Sequence, residues 1–137
     1  MKQIDVAIGI VCRAGRILIC QRRRQDTLGG FWEFPGGKRE PDESLEQCLL
    51  RELTEELAIS VQIRQAFDAI DYDYGTACVR LHPFLCDHLA GEPLPLASQR
   101  LAWVTPAELY DYPFPPANEG LIRELTRQMN ADQRQAS

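Results

Sequence analysis

The sequence predicts an α+β fold, an α/β/α sandwich in which a mixed β-sheet lies between helices. Strand-forming runs occur both before and after a helical segment that ends near Ile59, and a second helix is expected close to the C-terminus. Strands in both directions and two main helices favour helices packed on a mixed sheet. The 137 residues have room for one domain with a single core.

The first two strands form a predicted hairpin. Residues 4–12 and 16–22 are β-rich runs, and a short Arg13-Ala14-Gly15 turn separates them. Further strands are expected at residues 61–73, 77–87 and 101–104, with a turn at Gly75 between the first two of these. Thr105 and Pro106 have the residue types of a helix start and predict a short helix there. The last helix is expected at residues 119–129.

A helix of about four turns follows a glycine loop within residues 36–59. Asp42 or Ser44 can cap its start, and Ser44 followed by Gln47 has the form of a capping box. On a helical wheel, three glutamates extend the apolar stripe into the last turns, with Arg51 on the other side. These glutamates are Glu52, Glu55 and Glu56.

Such a carboxylate face is unfavourable without cations. Like charges three or four residues apart repel one another, and the C-terminal end of a helix disfavours anions. Clustered carboxylates suit Mg²⁺, or Mn²⁺ in its place, because these ions prefer oxygen ligands. The alternative is a charged helix end that lies in solvent. The wheel favours a metal site.

The same residues carry a family resemblance. Their spacing is Gly37, five residues, Glu43, seven residues, Arg51-Glu52-Leu53, one residue, Glu55-Glu56, two residues, Ile59. This many-position pattern resembles the Nudix box. One position departs from it, because the family usually has glycine where this chain has Ala58. A positive φ at that position would cost about 1 kcal/mol.

Three further stretches resemble the MutT branch of that family: Gln21-Arg22, GFWEFPGGK at 30–38 and FPPAN at 114–118. The resemblance implies hydrolysis of a nucleoside triphosphate, such as 8-oxo-dGTP, to a monophosphate and pyrophosphate. It implies that Glu52, Glu55, Glu56 and the Gly36 carbonyl bind metal. It makes Arg51 the residue that orients the glutamates, and Glu52 or Glu55 the general base. The implied substrate-binding residues are Arg22, Phe34, Lys38 and Asn118.

Two positions leave alternatives open. Asn118 stands just before the last helix, so it could cap that helix or pair its amide with a purine edge. Some relatives carry a further acidic metal ligand before WVTP, where this chain has Gln99-Arg100-Leu101-Ala102. A fourth carboxylate ligand is therefore not expected from that strand.

Two other functions are alternatives to hydrolysis of an oxidised purine nucleotide. A pyrimidine nucleotide pyrophosphohydrolase, acting on CTP or a modified dCTP, would share the QR, WEF and GGK stretches. A non-catalytic module that reads oxidised bases would have lost the carboxylates, which this chain retains. A zinc site is not expected, since ligands that alternate along one strand do not converge as zinc ligands do. Those residues are Cys78, His82, Cys86 and His88.

The composition of the chain bears on its possible binding partners and on its cellular compartment. The net charge of −5 argues against a nucleic acid polymer as partner, and no apolar run approaches the ~20 residues of a membrane span. Five scattered cysteines, without any CxxC pair, are typical of reduced thiols in a cytoplasmic protein. We expect a single domain at residues 1–130, a flexible tail at 131–137, and a monomer or weak dimer.

Overall fold

The computed structural model describes residues 2–73 and 75–136, and the side chains of 3–73 and 75–130. Within these residues eight strands form one sheet. The strands are β1 (Lys2–Arg13), β2 (Arg16–Gln21), β3 (Trp32–Glu33), β4 (Gly36–Lys38), β5 (Ser60–Ala66), β6 (Ile70–Asp73), β7 (Ala77–Ala90) and β8 (Arg100–Val104). The order is β3-β2-β1-β7-β5, while β4 pairs with β1, β6 with β7 and β8 with β2. Because β1 and β7 are parallel and the other pairs antiparallel, the predicted mixed sheet is confirmed.

Two α-helices cover opposite faces of this sheet. They are α1 (Leu45–Leu57) and α2 (Glu119–Ala136). Alternate residues of β1 point to opposite faces, so Ala7 and Val11 pack in the core cluster beneath α1, whereas Ile8 and Ile10 pack with α2. The predicted α/β/α sandwich is confirmed. Neither helix combines the length and the apolar character that crossing a membrane requires, among the residues described.

Local predictions near α1 and the first hairpin are confirmed. Ser44 caps α1: its hydroxyl accepts a hydrogen bond from the Gln47 amide at 3.0 Å, and the Ser44 amide donates to the Gln47 side chain at 2.8 Å. The hairpin turn between β1 and β2 contains Ala14 and Gly15, both with positive φ (51° and 78°). That backbone conformation belongs to the turns that match the twist of paired strands.

Several boundaries differ from the predictions. The expected glycine loop contains β3 and β4, and residues 61–73 form two strands with a break at 67–69. The short helix after Thr105 is a 3₁₀ helix, Ala107–Asp111. The last helix continues to Ala136, seven residues beyond the predicted end. Only its backbone is described from 131 onward, so the flexibility expected of that tail stays a prediction, as does the domain division.

Candidate active site

A cleft of about 480 Å³ opens beside the apolar face that β1 and β7 present with Val6, Ile8, Val79 and Leu81. This volume is typical of small-molecule binding sites. Six residues that the sequence predicted as ligands of metal or substrate lie together in its wall: Arg22, Phe34, Gly36, Lys38, Glu56 and Asn118. Three others, Arg51, Glu52 and Glu55, do not line the cleft. We call the side near Glu56 the metal end and the side near Asn118 the base end.

Two carboxylates are crowded at the metal end. Glu56 is half-buried, and its burial raises its pKa to about 8; the negative charge of Glu52 and a hydrogen bond with it contribute in the same direction. The Glu52 side chain is 14% exposed. Two close carboxylates in a poorly solvated place resist carrying both charges at once. A cation would relieve this conflict.

Two glycines, Gly36 and Gly37, let β4 lie close to its neighbours. A Cβ on Gly37 would collide with the carboxylate of Glu52, and a Cβ on Gly36 would collide with the backbone of β1 at Ala7. The Gly36 backbone also favours the ionised form of Glu56, which slightly opposes the rise in its pKa. Space therefore requires glycine at Gly36, whereas a Cβ at Gly37 would displace the Glu52 carboxylate.

Arg51 holds the surrounding carboxylates. It binds Glu43 through two hydrogen bonds, from Nη2 at 2.6 Å and from Nε at 2.9 Å. Its Nη1 also donates to Glu52 at 2.9 Å and to Glu55 at 3.3 Å. The hydrogen bond from Arg51, more than any other contact, lowers the pKa of Glu43 to about 2. Arg51 thus fixes the orientation of Glu52 by direct contact.

This network corrects the helical wheel in two respects. Arg51 was expected on the opposite side of the helix from the glutamates, yet its side chain reaches two of them, Glu52 and Glu55. Glu55 was expected on the buried stripe, yet its side chain is 59% exposed and turned toward Arg51. Glu43 stands in the family pattern without a predicted role, and in the structure it accepts the shortest hydrogen bond that Arg51 donates.

The donor set at the metal end fits a hard divalent cation. Mg²⁺ takes one or two protein carboxylates and completes its shell with water and substrate phosphates, and Glu52, Glu56 and the Gly36 carbonyl are oxygen donors of that kind. In the described part of the chain, no three metal-ligating side chains converge. This absence of a third converging side chain agrees with the exposure of Glu55. The role of Glu55 as a metal ligand stays a prediction. The candidate zinc residues are also not gathered, since His82 binds Asp5 and His88 binds the Gly91 carbonyl.

Arg22 and Phe34 form one wall of the base end. Arg22 donates to the Thr27 carbonyl at 2.6 Å and forms an ion pair with Glu33 at 3.0 Å. Phe34 is buried and stacks at a tilt on Phe114, with 5.2 Å between ring centroids. Glu33 also lines the cleft, and burial raises its pKa despite the nearby Arg22. Glu33 belongs to the WEF stretch, and no role was predicted for it from the sequence.

Asn118 also lines the cleft. It ends a 3₁₀ helix, Pro116–Asn118, directly before α2, and it is only 7% exposed. Its side-chain amide makes no hydrogen bond to any residue that the structure describes, so it does not cap α2 in this structure. Among the described residues no side-chain nitrogen or oxygen atom is both buried and without a hydrogen-bond partner, so the Asn118 amide reaches the surface of the cleft although the residue as a whole is buried. This amide is therefore available to a bound molecule.

The stretch before WVTP ties neighbouring segments together. Gln99 donates from its side chain to the Arg22 carbonyl at 2.8 Å and from its backbone to the Gln21 carbonyl at 3.0 Å. Residues 100–102 begin β8 and pair with β2. The stretch contains no carboxylate, as the sequence shows, and Ala97 just before it lines the cleft.

Comparisons with known proteins agree on one family. A family model described as NUDIX domain matches residues 6–124. The CTP pyrophosphohydrolase of Escherichia coli (strain K12) is 38% identical over 122 residues, which cover 89% of this chain and 90% of that protein. The 8-oxo-dGTP diphosphatase of the same strain is 34% identical over 128 residues, covering 93% and 99%. The solution structure of the E. coli ORF135 protein matches with a TM-score of 0.86 and 36% identity, covering 96% of this chain and 94% of that one.

Proposed function

The chain belongs to the Nudix family, as a MutT-like hydrolase, and from that premise we propose that it is a Mg²⁺-dependent nucleoside triphosphate pyrophosphohydrolase. Its products are a nucleoside monophosphate and pyrophosphate. The substrate we propose is an oxidised purine nucleotide such as 8-oxo-dGTP, removed before DNA replication can use it. One observation carries this proposal: a single cleft is lined both by Glu56, which is crowded against Glu52, and by Asn118, whose amide makes no hydrogen bond within the described residues.

At the metal end, Glu52, Glu56 and the Gly36 carbonyl would hold the ion, and exposed Glu55 would serve as a further ligand or a second base. A divalent ion bound there neutralises phosphate charge and lowers the pKa of a bound water. Among the residues of the chain itself, Glu52 is our choice for the group that accepts the proton of the attacking water. Arg51 keeps it oriented through the 2.9 Å contact. Lys38, exposed at the cleft, would pair with a phosphate.

At the base end, Asn118 would read the base. Its amide can accept at one end and donate at the other, which suits the O6 and N–H edge of a guanine. Arg22 is already held by Thr27 and Glu33, so it would meet the base with little loss of side-chain freedom. Phe34 offers an apolar wall against the base or sugar.

A pyrimidine substrate is the second candidate. It is favoured by the 38% identity to a protein named CTP pyrophosphohydrolase, which slightly exceeds the identity to the 8-oxo-dGTP diphosphatase. The amide of Asn118 could also pair with the N4 and N3 edge of cytosine. In either case we propose a free nucleotide as substrate, a cytoplasmic site of action, and a monomer or weak dimer.

The test is a panel of nucleotides with Mg²⁺: 8-oxo-dGTP, dGTP, CTP, dCTP and 5-methyl-dCTP. Pyrophosphate and orthophosphate are measured separately for each. We expect pyrophosphate and a monophosphate, with the highest kcat/KM for 8-oxo-dGTP. A preference for CTP or 5-methyl-dCTP would select the second candidate. Orthophosphate release, or nucleotide binding without turnover, would overturn the proposed reaction.

A further inference from the structure

The C-terminal end of α1 depends on hydrogen-bond donors from outside the helix. The last carbonyls of any helix have no partner within it, and α1 has no basic residue in its last turn. Ala58 closes the helix in the left-handed conformation (φ 57°), and its amide bonds to Leu53 and Thr54 carbonyls. The carbonyls of Glu56 and Leu57 are left for other partners. Glu56 therefore sits on a turn that the helix alone does not secure.

Residues 94–99, which we call the strap, supply those donors. The Leu96 amide donates to the Glu56 carbonyl at 3.1 Å, and the Leu94 amide donates to the Leu57 carbonyl at 3.0 Å. Pro93 and Pro95 alternate with these leucines, and their fixed φ angles limit the conformations open to this part of the chain. The strap thus acts as a stiff external cap on the turn that carries Glu56.

The other side of the strap is attached to the segment that carries Arg22. The Arg23 guanidinium donates through Nη2 to the Leu96 carbonyl at 2.9 Å. Gln99 donates to the carbonyls of Gln21 and Arg22 at 3.0 and 2.8 Å. Leu96 is therefore bonded on one side to Arg23 and on the other to Glu56. Leu96 thus links Arg23 to Glu56 by consecutive hydrogen bonds.

We propose that Arg23 is a positioning residue: through Leu96 it holds the helix end that carries Glu56 in place relative to Arg22. The meaning of those two ends as metal and base sites rests on the proposed function. Arg23 itself need not touch either ligand. The competing view is that Arg23 makes a surface hydrogen bond of little consequence, as many surface arginines do.

The direction in which Arg23→Ala changes the affinity for a divalent ion distinguishes a positioning role from a surface hydrogen bond of little consequence. Arg23 is a cation near a site for a cation, so electrostatics alone predict that Arg23→Ala binds a divalent ion slightly more tightly. Positioning predicts the opposite, because a loosened Glu56 binds the ion less well. Arg24 provides the matched control: it is exposed, it carries the same charge in the same loop, and its side chain makes no hydrogen bond or ion pair with residues that the structure describes.

The experiment titrates Mn²⁺ into nucleotide-free protein by calorimetry, for wild type, Arg23→Ala, Arg23→Lys and Arg24→Ala. We expect Arg23→Ala to raise the Kd about threefold to tenfold, and lysine, which keeps a donor, to recover part of that loss. Arg24→Ala should leave the Kd unchanged or slightly lower. Gln99→Ala, which loosens the same strap, should weaken binding in the same direction.

Thermal unfolding is measured on every variant so that weak binding is read only from folded protein. If Arg23→Ala binds Mn²⁺ as tightly as wild type, or more tightly, the inference is wrong. The same holds if Arg24→Ala weakens binding equally. Wild-type protein that binds no Mn²⁺ would overturn both the inference and the metal end. Normal Mn²⁺ effects with no nucleotide turnover would reject the proposed function while leaving the positioning role intact.

Discussion

The two ends of the cleft are built in different ways. At the metal end, Arg51 contacts three glutamates, Gly37 leaves no space beside Glu52, and the strap caps the turn that carries Glu56. At the base end, the amide of Asn118 makes no hydrogen bond within the described residues. Rigid, mutually supporting contacts keep charges close together, whereas an unpaired amide can be satisfied by different ligands. Changes at the metal end should therefore affect every substrate alike, and changes at the base end should alter the choice among substrates.

The largest effect is expected from Glu56→Gln. This change keeps the shape of the side chain but removes a charged donor from the cleft, and it should lower kcat at least ~10²-fold for all nucleotides. Steady-state kinetics on a purine and a pyrimidine nucleotide measure it. Glu46→Gln is the control, because Glu46 is exposed on the first turn of the same helix. A loss that differs strongly between the two nucleotides would break the division between the ends.

A smaller but general loss is expected from Gly37→Ala. The added Cβ would collide with the carboxylate of Glu52, which must then leave its position beside Glu56. We expect kcat to fall roughly tenfold or more for every substrate, with weaker binding of Mn²⁺. Gly120→Ala is the matched control, since the nearest atom to its added Cβ is 3.9 Å away. Normal kinetics for Gly37→Ala would mean that Glu52 does not need its present position.

Asn118→Ser sharpens the comparison from the base end. Serine keeps the ability to cap a helix but loses the two-sided amide. We therefore expect kcat/KM for 8-oxo-dGTP to fall, with a rise of ~1–3 kcal/mol in the corresponding activation free energy. The melting temperature should change little, because the amide makes no bond to α2 in the structure. Kinetics with 8-oxo-dGTP and dGTP measure the preference. If serine leaves that preference intact, Asn118 does not read the purine.

The smallest effect concerns stability alone. Ala58 has a positive φ of 57°, the conformation anticipated from the departure at this position of the family pattern. Ala58→Gly should raise the free energy of unfolding by roughly 0.5–1 kcal/mol, because glycine adopts this conformation without strain. Ala69→Gly, at a residue without positive φ, should instead lower it. Denaturant unfolding of both variants tests this, and equal losses would show that Ala58 is not strained.

The features that could be predicted from the sequence are those that depend on residues close together in the chain. The capping box, the carboxylates of α1 and the strained Ala58 depend on neighbours within a few residues, so their patterns were readable. The exposure of Glu55 could not be predicted in this way. A helical wheel gives the direction in which each side chain leaves the helix, but not where the long side chain of Arg51 ends. β3 and β4 contain two and three residues, too few for a periodic pattern.

The assembled base end was harder still. Arg22, Phe34 and Asn118 come from separate segments, and their meeting depends on the pairing of β2 with β8 and on the packing of the 3₁₀ helix before α2. Without the family resemblance, no local pattern would have joined them. The strap was missed for the same reason: its hydrogen bonds to Glu56 and Arg23 join residues about 40 and 73 positions apart, and each is accepted by a backbone carbonyl.

The burial of Glu56 and its crowding against Glu52 together predict how the stability of the protein depends on pH. Because the pKa of Glu56 rises from an ordinary value of 4.5 to about 8 on folding, the folded protein binds more protons than the unfolded chain between these values. The free energy of unfolding should therefore decrease as the pH rises through this range when metal is absent. Removing the carboxyl removes that decrease.

The decisive measurement is chemical unfolding of wild type and Glu56→Gln from pH 5.5 to 8.5, with a chelator and then with Mg²⁺. We expect metal-free wild type to lose about 1–3 kcal/mol relative to the variant as the pH rises, a range that allows for the partial exposure of the carboxyl. Mg²⁺ should restore that loss in wild type and change the variant much less. Parallel curves for the two proteins, or a variant that is the less stable at pH 8.5 without metal, would contradict the view that these carboxylates are held together in readiness for a cation.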